Sequence, residues 1–286
     1  MWRGLFIAAS GMLTEERRTD VIANNLANAA TTGYKKDTAV HHEFENMLIK
    51  RMYDYADNSS GAMAGGLLDT ESGDVTKFKG FSAAQNDSPE VGQLGFGSHI
   101  DEVAVDYSQG AFESTGNTFD LAIAGEGFFT IQTPQGIRYT RSGAFFKNQD
   151  GVLQDIRGYN LLDRGGNPIT IPADIADSRI SVSGDGSIFV NGQNQPIAQI
   201  QLAQFDNRLA VQKQGDNLFA AVNNAQPQPA TGEIMQGMLE RSNVEIVQEM
   251  VELIHNHRLY EANAKAVSTQ DTMLETSANQ IGRLGS

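Results

Sequence analysis

The sequence predicts a mainly β protein with α-helical arms. An all-β central domain, sandwich- or barrel-like, is inserted between long N- and C-terminal helices that pair as a coiled coil. In the middle of the chain, short β-rich runs alternate with turn-forming pairs of residues. Residues 238–281 contain no glycine or proline and repeat apolar side chains every three or four positions. All seven prolines lie between Pro89 and Pro229, so both ends lack the residue that breaks helices.

The N-terminal residues 1–34 are predicted to form the first helix of this coiled coil. One stripe at helical spacing carries the apolar residues that we expect in the seam: Leu5, Ala9, Met12, Ala23 and Leu26. The helix should end near Ala30, because two threonines and Gly33 follow it and glycine suits a helix C-cap. A cleaved secretion signal is the alternative, but the charged residues 15–18 follow the apolar run at once.

Residues 35–94 are predicted to be a linker or extended region. Within them, residues 57–89 are rich in serine, glycine, alanine and aspartate and show little hydrophobic pattern, which is typical of a loop or hinge. Two further parts complete the predicted division of the chain: a β-rich domain at 95–232 and the C-terminal coiled-coil helix at 233–286.

The β-rich domain is predicted from its strands and turns. The strand-forming runs are residues 128–131, 137–140, 144–146, 169–171, 180–182, 188–190 and 197–202. Several are separated by turn sequences, namely Asp150-Gly151, Gly165-Gly166-Asn167-Pro168, Asp185-Gly186 and Asn191-Gly192. Strands that recur about every ten residues favour an all-β sandwich or barrel over alternating βα units.

The C-terminal helix carries the strongest periodic signal in the chain. Stepping by four and three residues gives the predicted seam: Ile246, Met250, Leu253, His257, Tyr260, Ala264, Val267, Asp271, Leu274, Ala278 and Ile281. A period of 3.5 residues is typical of a coiled coil. Such a helix is roughly 65 Å long and needs another helix beside it, for which the N-terminal stripe is the obvious candidate. The polar His257 and Asp271 are expected to fix its register.

Composition excludes several classes of function. With 21 basic and 35 acidic residues the net charge is −14, which disfavours binding to nucleic-acid phosphates. Half of the basic and most of the acidic residues, eleven and 22, lie in residues 51–235. The absence of cysteine removes disulfides and thiolate zinc sites. No apolar run reaches the roughly 18 residues of a transmembrane segment, so none is predicted.

No catalytic, cofactor or metal site is predicted. The sequence has no phosphate-binding glycine loop and no nucleophile elbow. His41 and His42 are adjacent, and His255 and His257 diverge by about 200° around a helix, so neither pair is spaced for a metal. Asp174 and Asp177 are interpreted as an ordinary loop surface, and the many Asp-Gly pairs as turns.

Eight segments of the chain form recognisable motifs: residues 23–35, 109–117, 120–129, 139–143, 239–244, 249–251, 258–263 and 271–274. They resemble motifs of the bacterial flagellar rod and hook proteins and occur in that family's order. The signature positions carried over are Asn24, Asn25, Asn28, Thr32, Gly33, Gly116, Asn117, Asp120, Gly125, Gly127, Phe128 and Phe129. The tail is most similar to the distal rod type. Ala30 or its neighbour departs from the family, which usually has asparagine there.

The resemblance implies a structural subunit and not an enzyme. Such subunits self-assemble through their terminal helices into a stiff helical tube, the distal rod, that transmits torque from motor to hook. The implied partners are copies of the chain, adjacent rod and hook proteins, ring (bushing) proteins where an outer membrane or thick wall exists, and the flagellar type III export apparatus. The implied location is the extracytoplasmic basal body, reached without a cleaved signal peptide.

Alternative functions remain open at this stage. Within the family they are the proximal rod paralogue and, less favoured by the length of the chain, a hook-type subunit. Outside the family, an extracellular β-rich binding module would share the turn-rich middle but would not need the long heptad repeat. An enzyme on a β scaffold would need a cleft with perturbed acids, which the sequence does not display.

Overall fold

A computed structural model of the chain describes residues 2–43, 47–50, 90–95, 97–172, 174–190, 195–205, 210–222 and 225–284. Helix α1 (Trp2–Ala27) and helix α2 (Ile246–Leu284) are separated by a β-rich middle, as predicted. The predicted loop at 57–89 and the Asn191-Gly192 turn lie outside the described residues. Neither described helix is long and apolar enough to cross a bilayer.

The strands between the helices are short. In chain order they are β1 (Asp37–Glu43), β2 (Met47–Lys50), β3 (Glu90–Leu94), β4 (Ser98–Val105), β5 (Phe112–Ser114), β6 (Leu121–Ala124), β7 (Phe128–Thr133), β8 (Gly136–Thr140), β9 (Phe145–Lys147), β10 (Leu153–Asp155), β11 (Asn160–Leu161), β12 (Ile180–Val182), β13 (Ser187–Val190), β14 (Ala198–Gln199), β15 (Leu202–Gln204), β16 (Val211–Lys213), β17 (Leu218–Ala221), β18 (Gln228–Pro229), β19 (Glu233–Gln236) and β20 (Met238–Glu240). One 3-10 turn spans Asp177–Arg179.

Most of the predicted strands are confirmed, and the structure differs from the expected elements or their bounds at three places. The run at 169–171 makes only an isolated bridge through Thr170, although Ile169 and Ile171 are buried in the core. The uninterrupted run that starts at residue 238 is not helical from its start, because Met238–Glu240 pairs with β5 and α2 begins at Ile246. Helix α1 ends at Ala27 instead of Ala30.

The main sheet is open. Its strand order is β16-β17-β8-β7-β11-β10-β9, and β15 pairs with both β7 and β18. A three-stranded sheet, β12-β13-β14, and the pairs β6-β19, β5-β20, β1-β4 and β2-β3 complete the described sheets. The sequence predicted a sandwich- or barrel-like domain, and its barrel alternative is not met because the described sheets are not closed.

The core lies on one face of the main sheet. Alternation along β7 sends Phe129 and Ile131 into this core, whereas Phe128 faces a second apolar cluster on the opposite side of the sheet. The core joins the main sheet to β6, β12, β13 and β19 through Leu121, Ile123, Phe145, Leu153, Leu161, Ile180, Ile188 and Ile234. These side chains bury the apolar area that stabilises the β domain.

The described chain divides into two compact units. The first comprises Met1–Thr14, His41–His99 and Ala262–Ser286, and the second comprises Glu15–Val40 and Ile100–Glu261. The β core and the first sixteen residues of α2 belong to the second unit.

Truncating the core is expected to destabilise the β domain strongly. Phe129→Ala removes a side chain that is 0% exposed and should lower the free energy of unfolding by about 3–5 kcal/mol, because a cavity remains. Phe146→Ala, on β9 and 43% exposed, is the matched control and should cost less than about 1 kcal/mol. Urea denaturation measures both. Equal losses would show that the assigned core face is wrong.

Candidate assembly surfaces

The segment after α1 turns onto the β domain at Gly33. Gly33 has a φ of +65°, and its amide donates to the carbonyl oxygen of Glu240 at 2.7 Å. A Cβ at this position would lie 2.4 Å from the carbonyl carbon of Arg141, so no larger residue fits without a backbone shift. Thr32 accepts a hydrogen bond from the Asn217 side chain at 2.8 Å. Both the positive φ and the lack of space for a Cβ therefore favour glycine at this turn.

A buried carboxylate on β20 holds this turn. Oε1 of Glu240 accepts hydrogen bonds from Nζ of Lys35 at 2.6 Å and from the amide of Gly110 at 3.0 Å, and Oε2 lies 3.4 Å from Nη1 of Arg141. All three charged side chains are at least nine-tenths buried. We call Lys35, Arg141 and Glu240 the junction cluster, because they lie after α1, after β8 and on the strand preceding α2.

Burial sets the electrostatics of the junction cluster. It lowers the pKa of Lys35 and of Arg141, whereas the neighbouring Glu240 carboxylate acts in the opposite direction on both. The cations have further acceptors, since Lys35 donates to the carbonyl of Ser108 at 2.8 Å and Arg141 to that of Gly125 at 2.8 Å. A buried ion pair is tolerated only with such additional hydrogen bonds.

The asparagine signature at the end of α1 forms a second polar network. Asn25 pairs with the backbone of Asp37, donating to its carbonyl at 2.8 Å and accepting from its amide at 2.9 Å. The Tyr34 hydroxyl donates to Oδ1 of Asn24 at 3.0 Å. Nζ of Lys213 lies 3.8 Å from the centre of the Tyr34 ring and 2.9 Å from Asp37. Burial, together with Asp37, raises the pKa of Tyr34, so the tyrosine remains a neutral donor.

The remaining signature residues shape turns and the core. Asp120 accepts hydrogen bonds from Thr115 at 2.5 Å and from Asn117 at 2.9 Å. Positive φ angles occur at Gly116, Gly125 and Gly127. Asn28 donates back to the carbonyl of Asn24 at 2.9 Å, and Phe128 and Phe129 are buried on opposite faces of the main sheet. None of these roles was derivable from spacing, so only the resemblance pointed to these positions.

In the second unit, polar side chains of α2 face α1. Asn256, which is 0% exposed, donates to the carbonyl of Glu15 at 2.7 Å and to the Thr19 hydroxyl at 2.6 Å. Closer to the start of α2, the buried Glu249 accepts from Nδ2 of Asn25 at 3.3 Å. Residue numbers rise along one helix as they fall along the other, so these segments run antiparallel.

In the first unit, side-chain amides of α2 lie over glycines of α1. A Cβ on Gly11 would be 2.8 Å from Nδ2 of Asn263, and one on Gly4 would be 3.3 Å from Nε2 of Gln270. The polar residues of α2 that face α1 therefore recur every seven positions: Glu249, Asn256, Asn263 and Gln270. We call these four residues the polar rungs. Half-buried apolar residues alternate with them at Leu253, Tyr260, Val267 and Leu274.

The residues of the predicted assembly seam differ in their burial within the chain. The half-buried members are Leu5, Met12, Leu26, Leu253, Tyr260, Ala264, Val267 and Leu274. The exposed members are Ala9, Ala23, Ile246, Met250, His257, Asp271 and Ala278, and the side chain of Ile281 lies outside the described part. Beside the exposed His257 and Asp271, the preceding residues Asn256 and Gln270 are buried and half-buried.

A second apolar surface on α2 is exposed within the described chain. Ile246, Val247, Met250, Val251 and Ile254 are between 45% and 77% exposed. Their spacing places them together on one side of the helix, away from Glu249 and Asn256. We call these five residues the α2 apolar stripe. Contiguous exposed apolar side chains of this kind mark interaction sites.

The histidines and acidic residues of the described segments indicate no metal site. No group of three or more His, Asp or Glu side chains in these segments is arranged to hold a metal. His41, His255 and His257 are exposed, and His257 lies 3.4 Å from Glu261. Asp177 pairs with Lys147 at 2.6 Å.

Family comparisons cover both helices and the β domain. The family model described as "Flagella basal body rod protein" matches residues 5–35. "Flagellar hook protein FlgE/F/G D1 domain" matches residues 122–190. "Flagellar basal body rod FlgEFG protein C-terminal" matches residues 235–281.

Relatives that match almost the whole chain are named flagellar basal-body rod proteins. The flagellar basal-body rod protein FlgG of Bacillus subtilis is 32% identical over 290 residues, covering 98% of this chain and 99% of the relative. The chain belongs to the flagellar basal-body rod protein family. In Caulobacter vibrioides, FlgG is 35% identical, covering 96% of this chain and 98% of its own, and FlgF is 34% identical, covering 100% and 99%. FlgG relatives predominate, so this rod protein is FlgG-like, a structural subunit of the flagellar basal body.

The matched regions of this rod protein meet at the junction cluster. Lys35 is the last residue of the N-terminal match, and Glu240 lies near the start of the C-terminal match. Their 2.6 Å contact thus joins the two terminal segments within the second unit.

Removing a polar rung is expected to weaken the contact between the helices. Asn256→Ala deletes both hydrogen bonds of a side chain that is 0% exposed and should lower the free energy of unfolding by about 1–3 kcal/mol. Asn279→Ala changes an exposed asparagine of the same helix, so it makes the same gain in helix propensity without losing a contact. Chemical denaturation compares the two variants. Equal stabilities would contradict the assigned register.

Proposed function

We propose that this rod protein polymerises through the α2 apolar stripe into a stiff helical tube, the distal rod, which transmits torque from motor to hook. The observation that carries the proposal is the exposure of five apolar side chains on one side of α2. Burying exposed apolar surface against another copy is favourable by about 25 cal/mol per Å². A contact between two different surfaces that does not close into a ring generates a helical filament.

The polar rungs support the proposal that the two sides of α2 have different partners. Two of them, Glu249 and Asn256, hydrogen-bond to α1 of the same chain, so this side of the helix makes contacts before assembly. The stripe on the other side remains for neighbouring copies. In the assembled tube we propose that the terminal helices complete a coiled coil and line the inner wall, with the β domain outside. The division 1–34, 35–94, 95–232 and 233–286 is part of this proposal.

The proposed partners follow from family membership. They are copies of the chain, adjacent rod and hook proteins, ring proteins that surround the rod, and the flagellar type III export apparatus. We propose that the chain reaches its extracytoplasmic site through that apparatus and catalyses no reaction. A proximal rod position is the second candidate, because the FlgF relative from Caulobacter matches the chain nearly as well as the FlgG relative does.

A charge within the stripe should prevent polymerisation. Val247→Glu places a carboxylate on a side chain that is 77% exposed in the single chain and buried in the proposed contact. We expect the critical concentration for polymers to rise by at least about tenfold, which corresponds to about 1.4 kcal/mol per contact. Sedimentation and electron microscopy measure the yield and shape of the polymers.

Gln248→Glu is the matched control for this experiment. It adds the same charge at the adjacent exposed position, which lies outside the stripe, and should assemble like the unchanged protein. Tubes formed equally well by the Val247 variant would refute the role of the stripe. An unchanged protein that stays monomeric at every concentration would refute self-assembly itself.

A further inference from the structure

A line of uncharged side chains crosses the face of the main sheet opposite the core. Successive cross-strand pairs connect Phe146 to Gln154, Gln154 to Asn160, Asn160 to Gln132, and Gln132 to Ile137. Residues paired in this way project from the same side of a sheet. The line therefore runs across β9, β10, β11, β7 and β8, and we call its five residues the amide row.

The amide row is exposed at its ends and at Gln132, whereas Gln154 and Asn160 are half-buried. Its ends, Phe146 and Ile137, are 43% and 52% exposed, and Ile156, two residues beyond Gln154, is 82% exposed. Residues next to the row along the strands, such as Phe145, Leu153 and Ile131, are buried on the opposite face. The exposure of these apolar residues is therefore not explained by a poorly formed core, because residues of the same strands pack into the core on the opposite face.

The surroundings of the row carry no charge. Five of the positions two residues before or after its members lie in strands or bridges, on the same face by alternation, and all are uncharged: Ala144, Val152, Leu162, Thr130 and Tyr139. The other five, in turns or beside strand ends, are uncharged too: Asn148, Ile156, Gly158, Pro134 and Gln135. This is unusual in a chain with 35 acidic residues and a net charge of −14. Two such chains repel one another over most of their surfaces, and a charge-free face lets them touch without bringing carboxylates together.

We propose that the amide row is a contact surface for the β domain of a second copy of this chain. This inference rests on the proposed function and adds a contact separate from the α2 apolar stripe. The row presents both amide donors and amide acceptors, of which Gln154 and Asn160 already form one hydrogen bond at 2.8 Å. Another uncharged face of the same chain can pair with the remaining groups while it covers Ile137, Phe146 and Ile156.

The absence of charge also argues against other partners. A membrane surface with anionic lipids attracts lysine and arginine beside the apolar residues, and neither type occurs in the row or at the positions two residues away from its members. A strongly basic partner would be recognised by carboxylates, which are missing here as well. A second copy is the partner for which removing charge from the contact brings the largest gain.

Two single variants test the proposal in the full-length protein. Ile137→Glu should raise the critical concentration for polymers by at least about tenfold, because it brings a carboxylate into each contact between β domains. Val103→Glu is the matched control, since Val103 is also a β-branched strand residue, 47% exposed, but lies outside the row. Circular dichroism confirms that both variants keep the fold. A rise for Ile137→Glu alone supports the proposal.

A labelling experiment reads the same surface without adding charge. The chain has no cysteine, so Gln132→Cys gives a single reactive thiol in the middle of the row. A maleimide should modify it rapidly in the monomer and at least about tenfold more slowly in polymers. Cysteine at Val103 should react equally in both states.

The outcomes separate this inference from the proposed function. Normal polymers from Ile137→Glu, or equal labelling of Gln132→Cys in monomer and polymer, overturn the role of the amide row and leave self-assembly through α2 intact. An unchanged protein that never polymerises overturns both. Slow labelling already in the monomer would show that the row is covered within one chain, and this result also overturns the proposal.

Discussion

The burial of the Glu240 carboxylate is the constraint on which the connection between helices and β domain depends. A carboxylate this deeply buried must be paired, and its partners come from separate parts of the chain: Lys35 after α1, Gly110 before β5, and Arg141 after β8. Satisfying one charge therefore orders three segments at once. The left-handed turn at Gly33 and the strand pairing of β20 with β5 are the local geometries that bring the partners into reach.

The two sides of α2 show how one helix serves two purposes. The polar rungs face α1 and specify one antiparallel alignment, because a buried asparagine without its partner costs free energy in any other register. The apolar stripe provides area but little directional specificity. This arrangement suits a rod subunit, since the alignment within one subunit is set by hydrogen bonds while the apolar surface stays available for neighbouring copies.

Sequence reasoning identified the elements better than their contacts. The strands at 128–131, 180–182 and 188–190 were predictable because β-branched and aromatic residues stand between strong turn signals. The start of α2 was not, since a lack of glycine and proline cannot reveal that Met238–Glu240 pairs with β5. The apolar heptad pattern includes the half-buried Leu253 and Leu274 but not Asn256 and Gln270, because a hydrophobic pattern does not register polar residues that lie against another helix. The junction cluster depends on contacts distant in sequence, and no local motif predicts those.

The most direct test of this account is a double-mutant cycle between Lys35 and Glu240, with Lys35→Met, Glu240→Leu and the double variant studied by chemical denaturation. If the carboxylate and the lysine depend on each other as the 2.6 Å contact indicates, each single change leaves a buried charge without its main partner. The account predicts a coupling energy of about 2–3 kcal/mol. The exposed pair of Arg241 and Glu113, 3.8 Å apart, should give less than about 1 kcal/mol in the same cycle. Additive effects of the Lys35 and Glu240 substitutions would contradict the account.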